Sequence, residues 1–367
     1  MDINFHMPTK VIMAKECILS NSSIFKSLGT KALIVTGAHS AKVNGSLNDV
    51  IAALKNECIS YSVYDKVMSN PTIACVYDGA KTAKSEKVDF IIAIGGGSPM
   101  DAAKAIALLS AQDISEDDLF SGKYESKVLP MAFVPTTAGT GSEVTPYSIL
   151  TNDKAQTKTS IASPLLFPTI AFLDSKYTIN LSLTTTINTA IDALSHAVEG
   201  MLSVRSNAMT DMIAVQSIKL ISECFDALKN NTLTDEVREK LLYASMLSGI
   251  VITHTGTTAV HSMGYSLTYF KNIDHGRANG LLIVEFLNYV YNKKPEKIDQ
   301  ILSAMNLISV NEFKSVINGL LGTKEKITAE ELKKYASIAI KAKNIPNCIV
   351  TPNESDLFDI YNVSFSV

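Results

Sequence analysis

The stretch VDFIIAIGGGSPMDAAKAIALLSAQ, residues 88–112, decides the fold of this 367-residue chain. Its first part, 88–97, is an apolar run that ends in three glycines and predicts a buried β-strand. Residues 101–112 then carry apolar side chains at helical spacing and predict an α-helix. A buried strand joined to a helix by a glycine turn is typical of a parallel sheet that is covered by helices.

The same alternation extends through the first half of the chain, and a different pattern replaces it after about residue 178. Beyond that point, segments with 3.6-residue apolar periodicity follow one another and no comparable strand pattern occurs. We therefore predict an α/β domain with a Rossmann-like parallel sheet over 1–178 and an all-α domain over 179–367. The predicted strands are 31–37, 59–67, 88–97 and 128–137, and the predicted helices are 47–57, 73–86, 101–112, 184–203, 207–228, 235–253, 257–270, 278–292, 296–305, 309–321 and 329–343.

Composition places the chain among ordinary soluble globular proteins. Its apolar residues make up 46% and its charged residues 19%, and a net charge of −3 indicates no basic surface for nucleic acid. No signal-peptide pattern occurs, and no apolar run approaches the ~18 residues that span a bilayer. Five scattered cysteines without a CxxC pair suit a reducing compartment. We therefore predict a cytoplasmic protein without membrane or nucleic-acid partners.

The glycine turn at 95–97 has features that suit a phosphate group. Glycines let the backbone approach a ligand closely, and a helix start offers N–H groups and a partial positive charge. Ser98 is predicted as the N-cap, Pro99 as the first helical residue, and Asp101 as the partner in a capping box. The pattern is neither a P-loop nor GxGxxG, so a tight, well-capped turn without a ligand is the alternative.

A second loop, PTTAGTGSE at 135–143, follows another predicted strand. It combines three threonines, Ser142 and two glycines. Hydroxyl groups and exposed backbone donors suit a pyrophosphate and a ribose. An ordinary threonine-rich loop is the alternative.

A set of possible metal ligands lies in the second half. Asp192 and His196 are four residues apart in a predicted helix and share one face. His261 lies in another predicted helix, while His275 is predicted in a loop that folds back toward the preceding helix. One oxygen and three nitrogens suit Fe²⁺ or Zn²⁺, and the spacing does not choose between them. Packed histidines and a helical Asp–His hydrogen bond are the alternative.

Seven motifs together resemble one known family, the iron-containing or group III alcohol dehydrogenases. The resemblance implies a dehydroquinate-synthase-like fold and a catalytic divalent ion, often iron, on Asp192, His196, His261 and His275. It also implies a homodimer or larger homo-oligomer. The motifs, in family order, are NPT (70–72), IIAIGGGSPMDAAKAIA (91–107), PTTAGTGSEVT (135–145), IDALSHAVEG (191–200), AVHSMGY (259–265), DHGRANGLL (274–282) and NIPNCIVTPNESDLFDIYNVSF (344–365).

The resemblance also implies a cofactor site, and the chain departs from the family there. Many members carry an aspartate that holds the adenosine ribose after the first strand, whereas this chain has Gly37. Without a carboxylate to repel a 2′-phosphate, and with Ser40 and Lys42 following, NADP(H) is favoured over NAD(H). The implied cofactor residues are Asn70, Gly95, Gly96, Gly97, Ser98, Asp101, Thr136, Thr137, Thr140 and Lys158, to which the loop pattern adds Ser142.

A second departure concerns proton transfer. Many members have a histidine one turn after the third metal ligand, where this chain has Tyr265. His254 precedes His261 by seven residues and would share its helix face if the helix ran through Gly256. We hypothesise that His254 or Tyr265 lines the substrate pocket and relays a proton. The alternative is that both only pack near the site.

The predicted function is therefore a metal-dependent alcohol dehydrogenase or aldehyde reductase for a small alcohol, diol or aldehyde. Three alternatives stay open: a zinc polyol dehydrogenase of the glycerol type, a dehydroquinate-synthase-like lyase, and a catalytically silent relative. The lyase would need several Lys and Arg residues near the metal, whereas the metal-site segments offer only Lys271 and Arg277.

Overall fold

A computed structural model describes residues 3–366 of the chain and places strands and helices as the alternation predicts. The strands are β1 (Lys10–Met13), β2 (Lys31–Thr36), β3 (Ser60–Tyr64), β4 (Phe90–Gly95), β5 (Met131–Pro135), β6 (Tyr147–Asn152), β7 (Thr157–Ala162) and β8 (Ile170–Leu173). The α-helices of the first half are α1 (Cys17–Ser20), α2 (Ser40–Val43), α3 (Ser46–Asn56), α4 (Ile73–Glu86) and α5 (Gly97–Ala111). Those of the second half are α6 (Leu183–Met201), α7 (Ala208–Ser222), α8 (Phe225–Lys229), α9 (Asp235–Thr255), α10 (Ala259–Lys271), α11 (His275–Tyr291), α12 (Pro295–Ala304), α13 (Val310–Leu321), α14 (Ala329–Ala339) and α15 (Glu354–Phe365).

A six-stranded parallel sheet in the order β1-β8-β5-β4-β2-β3 forms the core of the first unit. Successive residues of a strand point to opposite faces. In β2, Leu33 and Val35 therefore join one buried apolar cluster, while Ala32 and Ile34 join another. Burial on both faces explains why these strands read as continuous apolar runs. The predicted fold class, a parallel α/β sheet with helices and an additional helical part, is confirmed.

Four strands lie outside the predicted set. Two of them, β1 and β8, have only four residues each and pair with one another at one side of the sheet. The other two, β6 and β7, form a separate antiparallel hairpin whose sequence, YSILTN and TKTSIA, is rich in polar residues. Short length and incomplete burial leave such strands without a clear apolar signature.

Capping boxes mark the starts of two helices in the second half. Asn207 and Thr210 form a capping box at α7, and Thr328 and Glu331 form one at α14. The predicted helix 207–228 is interrupted at Glu223 and Cys224, so that α7 and α8 replace it. The last helix, α15, was not among the predicted helices. No helix of residues 3–366 is both long and apolar enough to cross a membrane.

The chain forms two compact units. One comprises residues 7–137 and 141–181, and the other comprises 3–6, 138–140 and 182–366. Residues 3–6 and 138–140, which the sequence analysis placed in the first domain, thus belong with the helices. The reason is local packing: the Phe5 ring stacks on His254 at 4.2 Å, and a Cβ on Gly139 would lie 2.7 Å from that of Thr189.

Candidate metal centre and nucleotide loops

Three of the four predicted ligands, all histidines, surround a carboxylate oxygen of the fourth in the helical unit. Asp192 Oδ1 lies 4.0 Å from His196 Nε2, 3.8 Å from His261 Nε2 and 3.8 Å from His275 Nε2. The ligand atoms of Asp192, His261 and His275 are all within 4.8 Å of one another. His196 joins them through its ring, which stacks on that of His261 at 4.6 Å. Asp192, His196 and His261 are buried, and His275 is partly exposed.

Three helices bring these side chains together. Asp192 and His196 lie one turn apart on α6, His261 lies in the first turn of α10, and His275 is the first residue of α11. The prediction that His275 lies in a loop is therefore wrong. Asp274 is the N-cap of α11, and its carboxylate accepts a hydrogen bond of 2.8 Å from Asn188 Nδ2 on α6. The histidine reaches the site because this contact fixes the helix start against α6.

This donor set fits a divalent ion. Two ligand atoms about 2.1 Å from an ion at a tetrahedral angle lie about 3.4 Å apart, so the separations of 3.8 to 4.0 Å need to close by only a few tenths of an ångström. Burial lowers the pKa of His196 to about 4, and it outweighs the neighbouring Asp192 carboxylate, which raises that pKa. The imidazole is therefore neutral at pH 7, as a metal ligand must be.

Asn279 contacts three of the ligand atoms. Its Nδ2 lies 3.0 Å from Asp192 Oδ1, 3.2 Å from His261 Nε2 and 3.4 Å from His275 Nε2. The NH₂ group has two hydrogens for these three atoms, which share its donors, and each contact is consistent with an acceptor on the ligand side. The lone pairs of the two histidine Nε2 atoms thus face the shared point at which a cation would be bound.

Glu199 lies behind His261. The side chain is fully buried on α6, one turn after His196, and its Oε2 contacts His261 Nδ1. Burial raises the pKa of Glu199, but His261 and hydrogen bonds from His261 and Thr258 outweigh burial, and the pKa is lowered overall. Glu199 is consequently a carboxylate in contact with a metal-ligand candidate.

Tyr265 lies beside the candidate ligands, and His254 has other contacts. The Tyr265 ring stacks on His275 with centroids 5.4 Å apart and lies edge-on to His261 at 6.5 Å. The helix of His254 ends at Thr255, and Gly256, with φ 66°, separates it from α10. The helix continuity that would place His254 on the face of His261 is therefore absent. His254 Nε2 accepts the His6 N–H at 3.1 Å, and its Nδ1 lies 2.7 Å from the Ile250 carbonyl.

In the α/β unit, strand register brings the predicted nucleotide loops to one edge of the sheet. Gly95 pairs with Pro135, and the Gly95 carbonyl accepts the Thr136 N–H at 2.9 Å. A Cβ on Gly96 would lie 2.9 Å from Thr137 Oγ1. A larger residue at 96 would displace the Thr137 side chain. The carboxyl ends of parallel strands are where open α/β sheets bind ligands.

The structure corrects the predicted capping of α5. The helix begins at Gly97 with Gly96 as N-cap, and no side chain caps it. Ser98 is already inside the helix, and its Oγ accepts the Asn70 N–H at 3.1 Å. Asp101 instead accepts the Ser142 hydroxyl at 2.7 Å and the Ile149 N–H at 3.2 Å. These two side chains therefore join the glycine turn to neighbouring segments.

Asn70 and Lys158 reach the same region through the β6–β7 hairpin. Asn70 has a left-handed φ of 56°, and its carbonyl accepts the Thr151 hydroxyl at 3.0 Å. Lys158 is the register partner of Thr151. The structure therefore collects Asn70, Ser98, Asp101, Ser142 and Lys158 around the start of α5, whereas Thr140 lies with the helical unit.

Lys104 is a buried residue of this region that the sequence analysis did not identify. Its Nζ donates to Ser142 Oγ at 2.8 Å and to the Tyr147 carbonyl at 2.7 Å. Burial lowers its pKa to about 8, against the opposing charges of Asp101 and Glu143. The sequence DAAK (101–104) did not indicate a buried lysine, because lysine in a helix is normally exposed.

Gly37, Ser40 and Lys42 follow β2, as predicted. Gly37 comes directly after the strand, and Ser40 begins α2 with an exposed side chain. The Lys42 ammonium makes an exposed ion pair of 2.7 Å with Asp65, which follows the neighbouring strand β3. Near the end of β2, the positive charge of Lys42 is therefore paired with the negative charge of Asp65.

Comparison with known proteins assigns both halves to the same family. Residues 8–175 match the model of iron-containing alcohol dehydrogenases, and residues 186–365 match the C-terminal model of the Fe-containing alcohol dehydrogenase family. Alcohol dehydrogenase 4 of Schizosaccharomyces pombe is 34% identical, over 76% of this chain and 66% of its own length. An NAD-dependent methanol dehydrogenase of Bacillus methanolicus is 31% identical, over 76% of this chain and 73% of its own. The crystal structure of an iron-containing alcohol dehydrogenase of Thermotoga maritima has a TM-score of 0.92 and 38% identity, covering 99% of both chains.

Proposed function

Because the chain belongs to the iron-containing alcohol dehydrogenase family, we propose that it interconverts a small alcohol or diol with its aldehyde, using NADP(H) and a divalent ion held by Asp192, His196, His261 and His275. The observation that carries the proposal is the grouping of three imidazoles within 4.0 Å of one buried carboxylate oxygen.

The chain's own residues have distinct tasks in this proposal. A bound divalent ion supplies a Lewis acid for the substrate oxygen, and a bound nicotinamide supplies or accepts the hydride. Asp192 contributes the negative charge of the ligand set, and the neutral histidines contribute nitrogen lone pairs. The turn at the start of α5, with Asn70, Thr136 and Thr137, binds the cofactor phosphates and ribose.

Anaerobic reconstitution tests this function. The metal-stripped protein is loaded with Fe²⁺ or Zn²⁺ and assayed with NADPH and NADH against a panel of short aldehydes and diols. We expect activity only after metal addition, with Fe²⁺ giving the higher rate. A protein that binds neither metal, or that is metal-loaded and inactive on the whole panel, would contradict the proposal. Light scattering of the same sample checks the proposed homodimer or larger assembly.

The lyase alternative is less well supported. Such a site needs free cations to hold a substrate phosphate and carboxylate. Lys271 forms an ion pair with Glu331, and Arg277 forms one of 2.7 Å with Glu325 as well as a 2.6 Å hydrogen bond to the Leu321 carbonyl. Both basic side chains near the metal ligands in sequence are therefore engaged in structural contacts.

The proposed preference for NADP(H) depends on Gly37. A relative named as NAD-dependent means that the family alone does not fix the cofactor. Lys42 can reach a 2′-phosphate only by sharing or releasing Asp65, but an exposed ion pair costs little to rearrange. We expect Gly37→Asp to raise KM for NADPH at least about tenfold, because the new carboxylate repels the phosphate. KM for NADH should not rise. A wild-type enzyme that strongly prefers NADH would contradict this proposal.

We assign the proposed proton-relay role to Tyr265 rather than to His254. Tyr265 stacks on a metal-ligand candidate, whereas both ring nitrogens of His254 contact backbone groups. Tyr265→Phe keeps the stacked ring and removes the hydroxyl. We expect it to lower kcat about 100-fold if the phenol transfers a proton and to alter the pH profile of kcat. His254→Ala is the matched control and should leave that profile unchanged. An unchanged profile in Tyr265→Phe would exclude the relay.

A further inference from the structure

Both carboxylate oxygens of Glu199 contact the start of α10, residues 258–261. Its Oε1 accepts the Thr258 N–H at 2.8 Å, the Thr258 hydroxyl at 2.7 Å and the His261 N–H at 3.3 Å. Its Oε2 contacts His261 Nδ1. The side chain is fully buried, so no water competes for these contacts. A single carboxylate of α6 thus holds both the backbone and the imidazole at the start of α10.

The contacts of Oε1 replace the usual helix cap. Thr258 is the N-cap of α10, but its hydroxyl makes no cap to its own helix and donates to Glu199 instead. Two N–H groups at the helix start, those of Thr258 and His261, donate to a carboxylate from another helix, whose negative charge also suits the positive end of the helix dipole. The contacts of Oε1 alone would therefore be enough if Glu199 only stabilised the start of α10.

The contact of Oε2 determines which nitrogen of His261 carries the proton, and capping the helix does not require this contact. A carboxylate can only accept a hydrogen bond, so His261 Nδ1 carries the proton. The other nitrogen, Nε2, is then left with its lone pair. The Asn279 amide nitrogen, 3.2 Å from Nε2, is a hydrogen-bond donor, which agrees with an unprotonated Nε2. The Glu199 carboxylate on the other side of the ring is the contact that selects this tautomer.

We propose that Glu199 is a positioning residue that fixes His261 in the Nδ1–H tautomer and aims Nε2 at the divalent ion. This inference rests on the proposed function. Carboxylates behind histidine ligands orient the ring and raise its basicity, and their removal costs about 10- to 100-fold in metal affinity.

The variant Glu199→Gln separates the two roles. Its amide oxygen can still accept from Thr258 and from the His261 backbone, so the cap is kept. Its NH₂ group, in the place of Oε2, donates to Nδ1 and forces the proton onto Nε2, which then faces the metal position. Thr258→Val is the matched control, because it removes one hydrogen bond of the cap and leaves the imidazole contact intact.

The experiment measures Co²⁺ binding to each metal-stripped protein by equilibrium dialysis and by the visible spectrum of the bound ion. We expect Glu199→Gln to bind Co²⁺ about 10- to 100-fold more weakly than the wild type, and Thr258→Val to bind within threefold while unfolding at a lower temperature. Equal Co²⁺ affinity in Glu199→Gln and the wild type would overturn the inference. A wild type that binds no Co²⁺ would instead refute the proposed function, and this inference with it.

A second measurement reads the tautomer of His261 directly in the wild-type protein. Long-range ¹H–¹⁵N correlation spectra of wild-type protein labelled at histidine distinguish the two tautomers, and a His261→Gln sample assigns the signal. We expect a protonated Nδ1 and a non-protonated Nε2 in the metal-stripped protein. A proton on Nε2 would overturn the inference.

Discussion

Asp192→Asn should abolish metal binding at stoichiometric concentrations and lower kcat/KM about 10³-fold or more. Asp192 Oδ1 is the atom around which the three histidine nitrogens are grouped. The substitution keeps the size of the side chain and removes the negative charge of the ligand set. A catalytic metal contributes several kcal/mol to stabilising charge on a substrate oxygen, and each 1.36 kcal/mol corresponds to about a tenfold change in rate. Metal content after dialysis, with kcat/KM on the best aldehyde, measures both effects.

Asp211→Asn is the matched control for this experiment. Asp211 lies in the same helical unit, where it pairs with Lys297 at 2.8 Å and accepts the Ser206 hydroxyl at 2.6 Å. Its replacement removes the same charge from a comparable structural network. We expect full metal content and near-normal kcat/KM in this variant. An Asp192→Asn protein that retained one metal per chain would refute the ligand assignment.

The sheet and the grouping of the candidate ligands could be predicted from the sequence because much of their signal is local. A strand buried on both faces is a continuous apolar run, as in β4, and two ligands on one helix recur at four residues, as Asp192 and His196 do. His261 and His275 entered the candidate set from a predicted helix and the loop after it, and the family resemblance implied the same four ligands. The short strand β8 and the hairpin β6–β7 escaped prediction, since neither is buried over enough residues to leave a pattern.

The errors at Ser98 and His275 have a common physical cause. At both positions a contact distant in sequence accompanies the helix start: Ser98 binds the Asn70 backbone, and Asp274, the N-cap just before His275, binds Asn188. Local sequence patterns contain no tertiary contacts, so they made Ser98 an N-cap and left His275 in a loop. Glu199 was missed for the same reason, although its position one turn after His196 on the ligand face was visible.

Gly276→Ala should both destabilise the helical unit and weaken metal binding. A Cβ at this position would lie 1.8 Å from the Asn188 carbonyl oxygen and 3.0 Å from Asp192 Cβ. Since the first obstacle is backbone, a side-chain rotation cannot relieve it, and α11 must move away from α6. Overpacking of this kind costs about 3 kcal/mol, which corresponds to a decrease of roughly 6–12 °C in unfolding temperature for a unit of this size. His275 moves with the helix start, so Co²⁺ affinity should fall at least about tenfold.

Gly319→Ala provides the comparison that isolates this close approach. Gly319 is an exposed residue of α13, and a Cβ there would meet no atom within 4 Å. Alanine is favoured over glycine inside a helix by up to about 1 kcal/mol, so this variant should be slightly more stable and bind Co²⁺ normally. Helix propensity favours alanine at both positions. A loss of Co²⁺ affinity in Gly276→Ala alone would therefore show that the metal site depends on the close contact between α6 and α11. If Gly276→Ala unfolded at the wild-type temperature and bound Co²⁺ with wild-type affinity, His275 would not depend on that approach.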